Sequence, residues 1–236
     1  MTTFSAVLAR QVAAEPGRPL VTFYDHASGE RTELSVATYA NWVAKTASLL
    51  VDELDLERGQ VLRVDLPTHW LGPVFLGAAW TAGLAVSLDG DGAADAWVTG
   101  PDGLDRWAGR AADGPVLASA LHPLGRPFDS PLPDGVLDFG TEVWSQPDAF
   151  LPVDPAHPDD LALPGVTQAE LWQTAAAGSL LTDGGRLLSR ANPASPSGMP
   201  CFTEPLVRAG SVVLVAHPDE ERLEATYAAE RATSRA

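Results

Sequence analysis

A single cysteine, Cys201, stands in 236 residues, which excludes an internal disulfide and any multi-thiolate metal site. Lysine is equally scarce. Fourteen of the fifteen basic residues are arginine, so chemistry that needs a lysine must use Lys45. Positive charge is short overall: 31 acidic residues oppose 15 basic ones, for a net charge of −16. Such a chain repels phosphate backbones and anionic lipid, so neither nucleic acid nor a membrane surface is expected as a partner. Long hydrophobic runs are missing as well. The most apolar stretch, Trp70 to Val86, is interrupted by Gly72, Pro73, Gly77, Thr81 and Gly83. It falls short of the ~20 apolar residues that cross a bilayer. The first residues alternate apolar and polar positions without the apolar core of a secretory signal, so a cytoplasmic location is expected.

What remains is an ordinary globular composition, 45% hydrophobic, enough for one generous domain. Helical spacing predicts a helix over 4–14, ended by Glu15-Pro16-Gly17. Pro19 to Tyr24 is β-branched and aromatic, a predicted strand, with 30–34 returning as its hairpin partner. Ser35 caps a helix to about Leu54 whose apolar positions recur every three to four residues. Val61 to Leu66 is a strand, followed by an apolar helix that ends at Gly83 as its C-cap, then a strand over 84–88. Further strands are predicted over 96–99, 116–119, 186–189 and 211–216. Further helices are predicted over 104–112, from the Thr167-x-x-Glu170 capping box to Gly178, over 202–209, and after His217-Pro218-Asp219.

Alternating strands and helices make the fold class α/β, with βαβ units and a mostly parallel sheet. The whole chain, 1–236, reads as one domain with sublobes 1–95 and 96–236. A proline-rich stretch over 122–164, ordered only from Val136 to Gln146, reads as a wrapping surface segment or linker.

Chemical constellations are sparse. The histidines at 26, 69, 122, 157 and 217 have no metal-site spacing, and a solvated or loop-bonded role is expected for them. Asp89, Asp91 and Asp95 lack the spacing of a calcium loop, and their charge opposes a pyrophosphate, so a polar turn at the C-terminal edge of a sheet is expected. No serine sits in a nucleophile elbow, and Cys201 has no adjacent base, which favours a small, half-buried residue over a reactive thiol.

Several segments, in order, resemble the adenylate-forming superfamily of acyl-CoA synthetases, peptide-synthetase adenylation domains and luciferases. Glu33-Leu34-Ser35-x-x-x-Tyr39 resembles its L-T-Y-x-E-L helix start. Leu54-Asp-Leu-Glu-Arg-Gly59-Gln-Val-Leu62 resembles "lGl-x-x-GD-x-V", and Leu66-Pro67 with Phe75-Leu-Gly-Ala-Ala-Trp-Thr-Ala-Gly83 resembles "lpN…lGalkaGa". Pro205 to Leu214 resembles "pLlaGa-x-vVl". The resemblance implies the N-terminal part of that fold, and its departures are informative. The superfamily's glycine-rich phosphate loop belongs between Asp159-Asp-Leu-Ala-Leu163 and the Thr167 helix, where this chain has only Pro164-Gly165-Val166. Asn192-Pro-Ala-Ser-Pro-Ser197 stands where the family often has P-x-F-H against the acyl group. The adenine- and ribose-binding motifs and the lid lysine have no counterpart, and Lys45 lies at the wrong end of the fold.

The resemblance therefore implies a truncated, catalytically degenerate relative kept as a binding or interaction module. No catalytic residue, metal or cofactor is assigned. A remnant pocket that senses or carries an acyl, CoA or adenylate ligand is the alternative. An unrelated α/β enzyme drawing on His69, Asp89, Asp91 and His122 is a third. A homodimer or another protein partner fits each of them, because surface covered in the longer fold needs a new cover.

Overall fold

The computed structural model describes residues 2–90 and 92–236. Helix α1 (Phe4–Ala14) leads into strand β1 (Pro19–Asp25) and its antiparallel partner β2 (Arg31–Ser35). Helix α2 (Val36–Ser48) follows directly, with the Ser35 hydroxyl accepting the Thr38 N–H. The α-helix expected to reach Leu54 ends at Ser48, and Leu49–Glu53 continues it as a wider turn of π type. Next come β3 (Val61–Asp65), α3 (Leu71–Thr81), β4 (Ala85–Ser87) and β5 (Ala96–Thr99). The helix expected over 104–112 is one α turn, α4 (Leu104–Trp107), tightening into a 3-10 turn over Ala108–Ala112.

Strands β6 (Val116–Ala118) and β7 (Val136–Asp138), helix α5 (Phe139–Glu142), and the hairpin β8 (Leu161–Leu163) with β9 (Val166–Thr167) carry the chain to α6 (Gln168–Ala177). The last elements are β10 (Arg186–Ser189), α7 (Pro200–Val207), β11 (Ser211–Ala216), α8 (Glu220–Ala229) and a short strand β12 (Ser234–Arg235), which the sequence pattern does not signal. Helix α7 starts two residues before the expected position because Pro200 fits its first turn.

The strands form two five-stranded sheets, ordered β12-β10-β11-β1-β2 and β4-β3-β5-β6-β7. The second is parallel throughout, and in the first only β2 runs antiparallel. Period-two alternation shows how they stack. Val212 and Leu214 of β11 join the main core with α1, α2, α3 and α7, while Val213 and Val215 face α8 with Leu223. In the other sheet Ala96, Val98 and Leu117 face the main core, and Trp97, Val116 and Ala118 face Trp107 of α4. The order is thus α8, sheet, central helices, sheet, α4: five layers.

This arrangement explains the most apolar segment. Helix α3 lies between the sheets and is buried from Leu71 through Trp80. It closes as a Schellman motif: the Leu84 N–H donates to the Ala79 carbonyl at 2.8 Å and the Gly83 N–H to that of Trp80 at 3.4 Å. Gly83 takes φ +74°, a left-handed conformation that glycine adopts without steric cost. The proline-rich stretch wraps this core. Lys45 anchors it by donating to the Gln146 carbonyl and pairing with Asp148 at 3.1 Å, and Arg58 pairs with Asp154 at 2.9 Å. No helix among the described residues is long and apolar enough to cross a membrane.

Candidate functional site

Parallel sheets place their ligand sites at the carboxyl ends of the strands. Here the carboxyl ends of both sheets border one cleft of about 350 Å³. Asp25 comes from the end of β1, His217 from the residue after β11, and Arg190 from the residue after β10. His69 and Pro67 come from the loop after β3, and Leu121 from the loop after β6. Phe23 and Val215 supply apolar wall, and Glu30 closes the rim from the β1–β2 turn. Leu121 and His217 both hold left-handed backbone, at φ 56° and 45°, where non-glycine residues are uncommon.

His69 is 3% exposed and packs against Phe23, with ring centroids 4.7 Å apart. Its Nδ1 accepts the Leu71 N–H at 3.2 Å, which opens α3 and fixes the neutral tautomer with its proton on Nε2. That Nε2 has no hydrogen-bond partner. Burial pushes the imidazole pKa down to about 3, against a smaller opposing pull from Asp25. Asp25 moves the same way for other reasons. Its own burial would raise its pKa, but hydrogen bonds from the Ser28 hydroxyl, His217 and the Ala27 N–H outweigh this and hold it at about 2. His217 donates from Nδ1 at 2.8 Å. Burial and the neighbouring Asp25 raise the Glu30 pKa, with the Thr32 hydroxyl opposing them.

The remaining sequence candidates lie elsewhere. His26 is buried, with Nε2 donating to the Thr226 hydroxyl and Nδ1 accepting the Asp219 N–H, so it ties β1 to the start of α8. Of the solvated or loop-bonded role expected of the histidines, His26 and His69 take the second: both are buried in loops that follow strands, and each accepts a backbone N–H at the start of a helix. His122 bonds the Pro127 carbonyl, and His157 is exposed. Asp89 follows β4 at the carboxyl edge, whereas Asp95 precedes β5 at the amino edge and accepts the Val61 N–H at 2.7 Å. Asp89 and Gly90 thus form a bend and turn at the carboxyl edge, as expected, while Asp95 belongs to the opposite edge. Asp91 lies outside the described residues. Neither Asp89 nor His122 lines the cleft with His69. Among the described residues no group of three or more His, Cys, Asp or Glu side chains is placed to hold a metal. Cys201 is fully enclosed rather than half-buried.

Sequence reasoning missed Asp25, Glu30 and Arg190. A signal for two of them was available: Asp25 and Arg190, like His69 and His217, each follow a predicted strand, so the carboxyl-edge rule points at them.

The hairpin β8–β9 stands where the resemblance leads one to expect a phosphate loop. Leu163 pairs with Val166, so only Pro164 and Gly165 form the turn. Gly165 has φ +76°, the geometry of a type II turn with proline first and glycine second. Trp80 donates its indole N–H to the Ala162 carbonyl at 2.9 Å, holding the hairpin against the end of α3.

Comparison with known proteins agrees with the fold. No protein-family model matches the chain. An acyl-CoA synthetase of Brucella canis superposes with a TM-score of 0.79 at 18% identity, covering 99% of this chain and 47% of its own. A long-chain-fatty-acid CoA ligase of Rhodopseudomonas palustris gives 0.79 at 17% identity, covering 99% of this chain and 62% of its own. The anthranilate CoA ligase AuaEII, solved with anthranoyl-AMP, gives 0.76 at 12% identity, with 98% and 49% covered. The chain spans about half the length of these solved structures. A Mycobacterium tuberculosis protein, described as a TIGR03089 family protein, is 36% identical over 241 residues, covering 98% of this chain and 97% of that relative. The chain therefore belongs to the TIGR03089 protein family and has the α/β fold of the N-terminal part of acyl-CoA synthetases and related adenylate-forming ligases.

Proposed function

We propose that this protein is a catalytically degenerate relative of the acyl-CoA synthetases that serves as a binding or interaction module. The observation that carries this reading is the two-residue turn at Pro164–Gly165. A phosphate cradle needs several backbone N–H groups converging on the anion. This turn offers at most the Gly165 N–H, because proline has none. Losing one preorganised donor typically costs ~10²–10³ in rate, and here a whole cradle is replaced.

The test is ATP–pyrophosphate exchange with magnesium and a broad panel of carboxylic acids. Exchange no higher than in a heat-inactivated control is expected. Acid-dependent exchange above that control overturns the reading. An interaction role draws support from the wrapping segment, where Leu151 and Val153 are 90% and 103% exposed beside an apolar groove between α1 and α2. Light scattering of the wild type and a Leu151→Asp, Val153→Asp double variant tests self-association through this strip. A wild-type dimer that the double variant dissolves supports a homodimer; a monomeric wild type excludes one and leaves another protein as the partner to seek.

A second reading, that the protein senses or carries a small molecule, is favoured by the carboxyl-edge cleft. Its size lies within the usual range for ligand sites, and its backbone is held in unusual conformations at two lining residues.

A further inference from the structure

The segment that wraps the core forms a ridge with an apolar crest. From Phe150 to Val153 exposure alternates. Phe150 and Pro152 are half-buried, whereas Leu151 and Val153 are the two most exposed large apolar side chains among the described residues. Phe150 and Pro152 also line a groove of about 600 Å³, together with Leu8 and Val12 of α1 and Ala40 and Ala44 of α2. Among the described residues no charged side chain lines this groove, although the chain carries 31 acidic and 15 basic residues. The hollow on the ridge's other flank is edged by Asp52, Glu57 and Asp154, and so suits an apolar occupant less.

Charge limits what can come this close. At −16 two copies repel each other at long range, so self-association needs a face whose acidic groups are offset. The ridge has that property. Asp148 and Asp154, on either side of the crest, are paired with Lys45, the chain's one lysine, at 3.1 Å and with Arg58 at 2.9 Å. Crest and groove thus lie side by side, both apolar. A two-fold axis beside them sets each copy's crest over the other's groove, the reciprocal contact of a closed dimer.

We propose that the groove is filled by a second copy of this chain, with Leu151 and Val153 of each protomer packing between α1 and α2 of its partner. This rests on the interaction-module reading and names the partner.

The test is sedimentation equilibrium of the full chain. A dimer is expected, and it should tighten as salt rises from about 0.05 to 0.5 M, because screening weakens the repulsion and leaves the apolar contact. The Leu151→Asp, Val153→Asp double variant should weaken the dimer at least about tenfold. Ala9→Arg, at an exposed position of α1 in the groove lining, should do the same. Mixed in equal amounts, the two variants should associate again. The mixed dimer keeps one native crest-in-groove contact and sets the introduced carboxylates against the introduced guanidinium in the other. That recovery also shows that both variants fold. A wild type that stays monomeric at about 0.1 mM overturns the proposal. So does a dimer that salt loosens, a dimer that neither variant weakens, or a mixture that fails to associate. Each of these results leaves the interaction-module reading standing. Acid-dependent pyrophosphate exchange, measured on the same samples, removes that reading whatever the oligomeric state.

Discussion

The side-chain carbonyl of Gln168 accepts the backbone N–H of Phe4 at 2.8 Å, across 164 residues of chain. Phe4 opens α1, so its N–H has no partner within the helix. The Gln168 amide also donates to the Trp80 carbonyl at 2.8 Å, near the end of α3. One fully buried side chain thus satisfies the orphaned start of α1 and adds the shorter of two bonds at the end of α3. Gln168→Leu keeps the size and removes both bonds, leaving the buried Phe4 N–H unpaired and the Trp80 carbonyl with only its long bond from Gly83. A loss of about 2–4 kcal/mol in urea unfolding with an unchanged m-value is expected. A loss below about 1 kcal/mol would mean that water or a shifted backbone replaces the amide.

Gly77 explains why the apolar helix carries a glycine at its centre. A Cβ there would collide with the Tyr39 hydroxyl and come within 2.6 Å of Phe4 Cζ and 2.9 Å of Val43 Cγ2. Tyr39 cannot easily withdraw, because its hydroxyl donates to the Pro73 carbonyl at 2.8 Å and the ring is wholly buried. In an exposed helix Gly→Ala gains about 1 kcal/mol. Here close contact of α1, α2 and α3 reverses the sign, and Gly77→Ala should lose about 1–3 kcal/mol. A neutral or stabilising result in thermal or urea unfolding would show that these helices sit further apart.

Stability should fall on mild acidification, with His69 responsible for most of the slope. The unfolded imidazole titrates near 6.5 and the folded one near 3, so between these values the unfolded chain holds the extra proton. Folding stability is therefore full above about pH 6.5 and declines toward pH 3 by up to ~1.4 kcal/mol per unit. Asp25 adds its own loss only lower, between its ordinary 3.8 and its folded value of about 2. Unfolding free energies measured from pH 7 to 4 should slope for the wild type and flatten in His69→Phe. An unchanged slope in that variant would assign the effect to other groups.

Local signals in the sequence carried the fold a long way. The Ser35 cap, the Thr167–Glu170 box and Gly83 all sit where their side-chain and backbone chemistry places them. These features depend on residues within one or two turns, and such information is written contiguously. Pairing is not. Strand β1 lies beside β11, with Val21 opposite Val212, a contact between segments 191 positions apart that no local pattern encodes. The division into two sheets was equally invisible, because Val212 and Val213 look alike until one faces the central helices and the other faces α8. The cleft was hidden for the same reason: Asp25, His69, Arg190 and His217 come from four different strand ends. The burial of His69 likewise depends on Phe23 arriving from β1, a distant part of the chain.

Cys201, the chain's one thiol, offers a readout for all of these variants. It lies in the first turn of α7, 2% exposed, with its Sγ 3.7 Å from the Ala191 carbonyl. Burial pushes its pKa up to about 12, with a weaker opposing hydrogen bond from Ser189. Alkylation requires the thiolate and an approach path, and the native state withholds both. Iodoacetamide at pH 8 should therefore leave the folded protein unmodified and add one label per chain in denaturant. In intermediate urea the labelled fraction after a short pulse should follow the same transition as tryptophan fluorescence, because exposing Sγ means dismantling the core around Phe202 and Leu206. Gln168→Leu and Gly77→Ala should shift both transitions together to lower urea. If the native protein labels as fast as a free thiol, α7 opens without global unfolding, and the central layer between the two sheets is less cooperative than its packing implies.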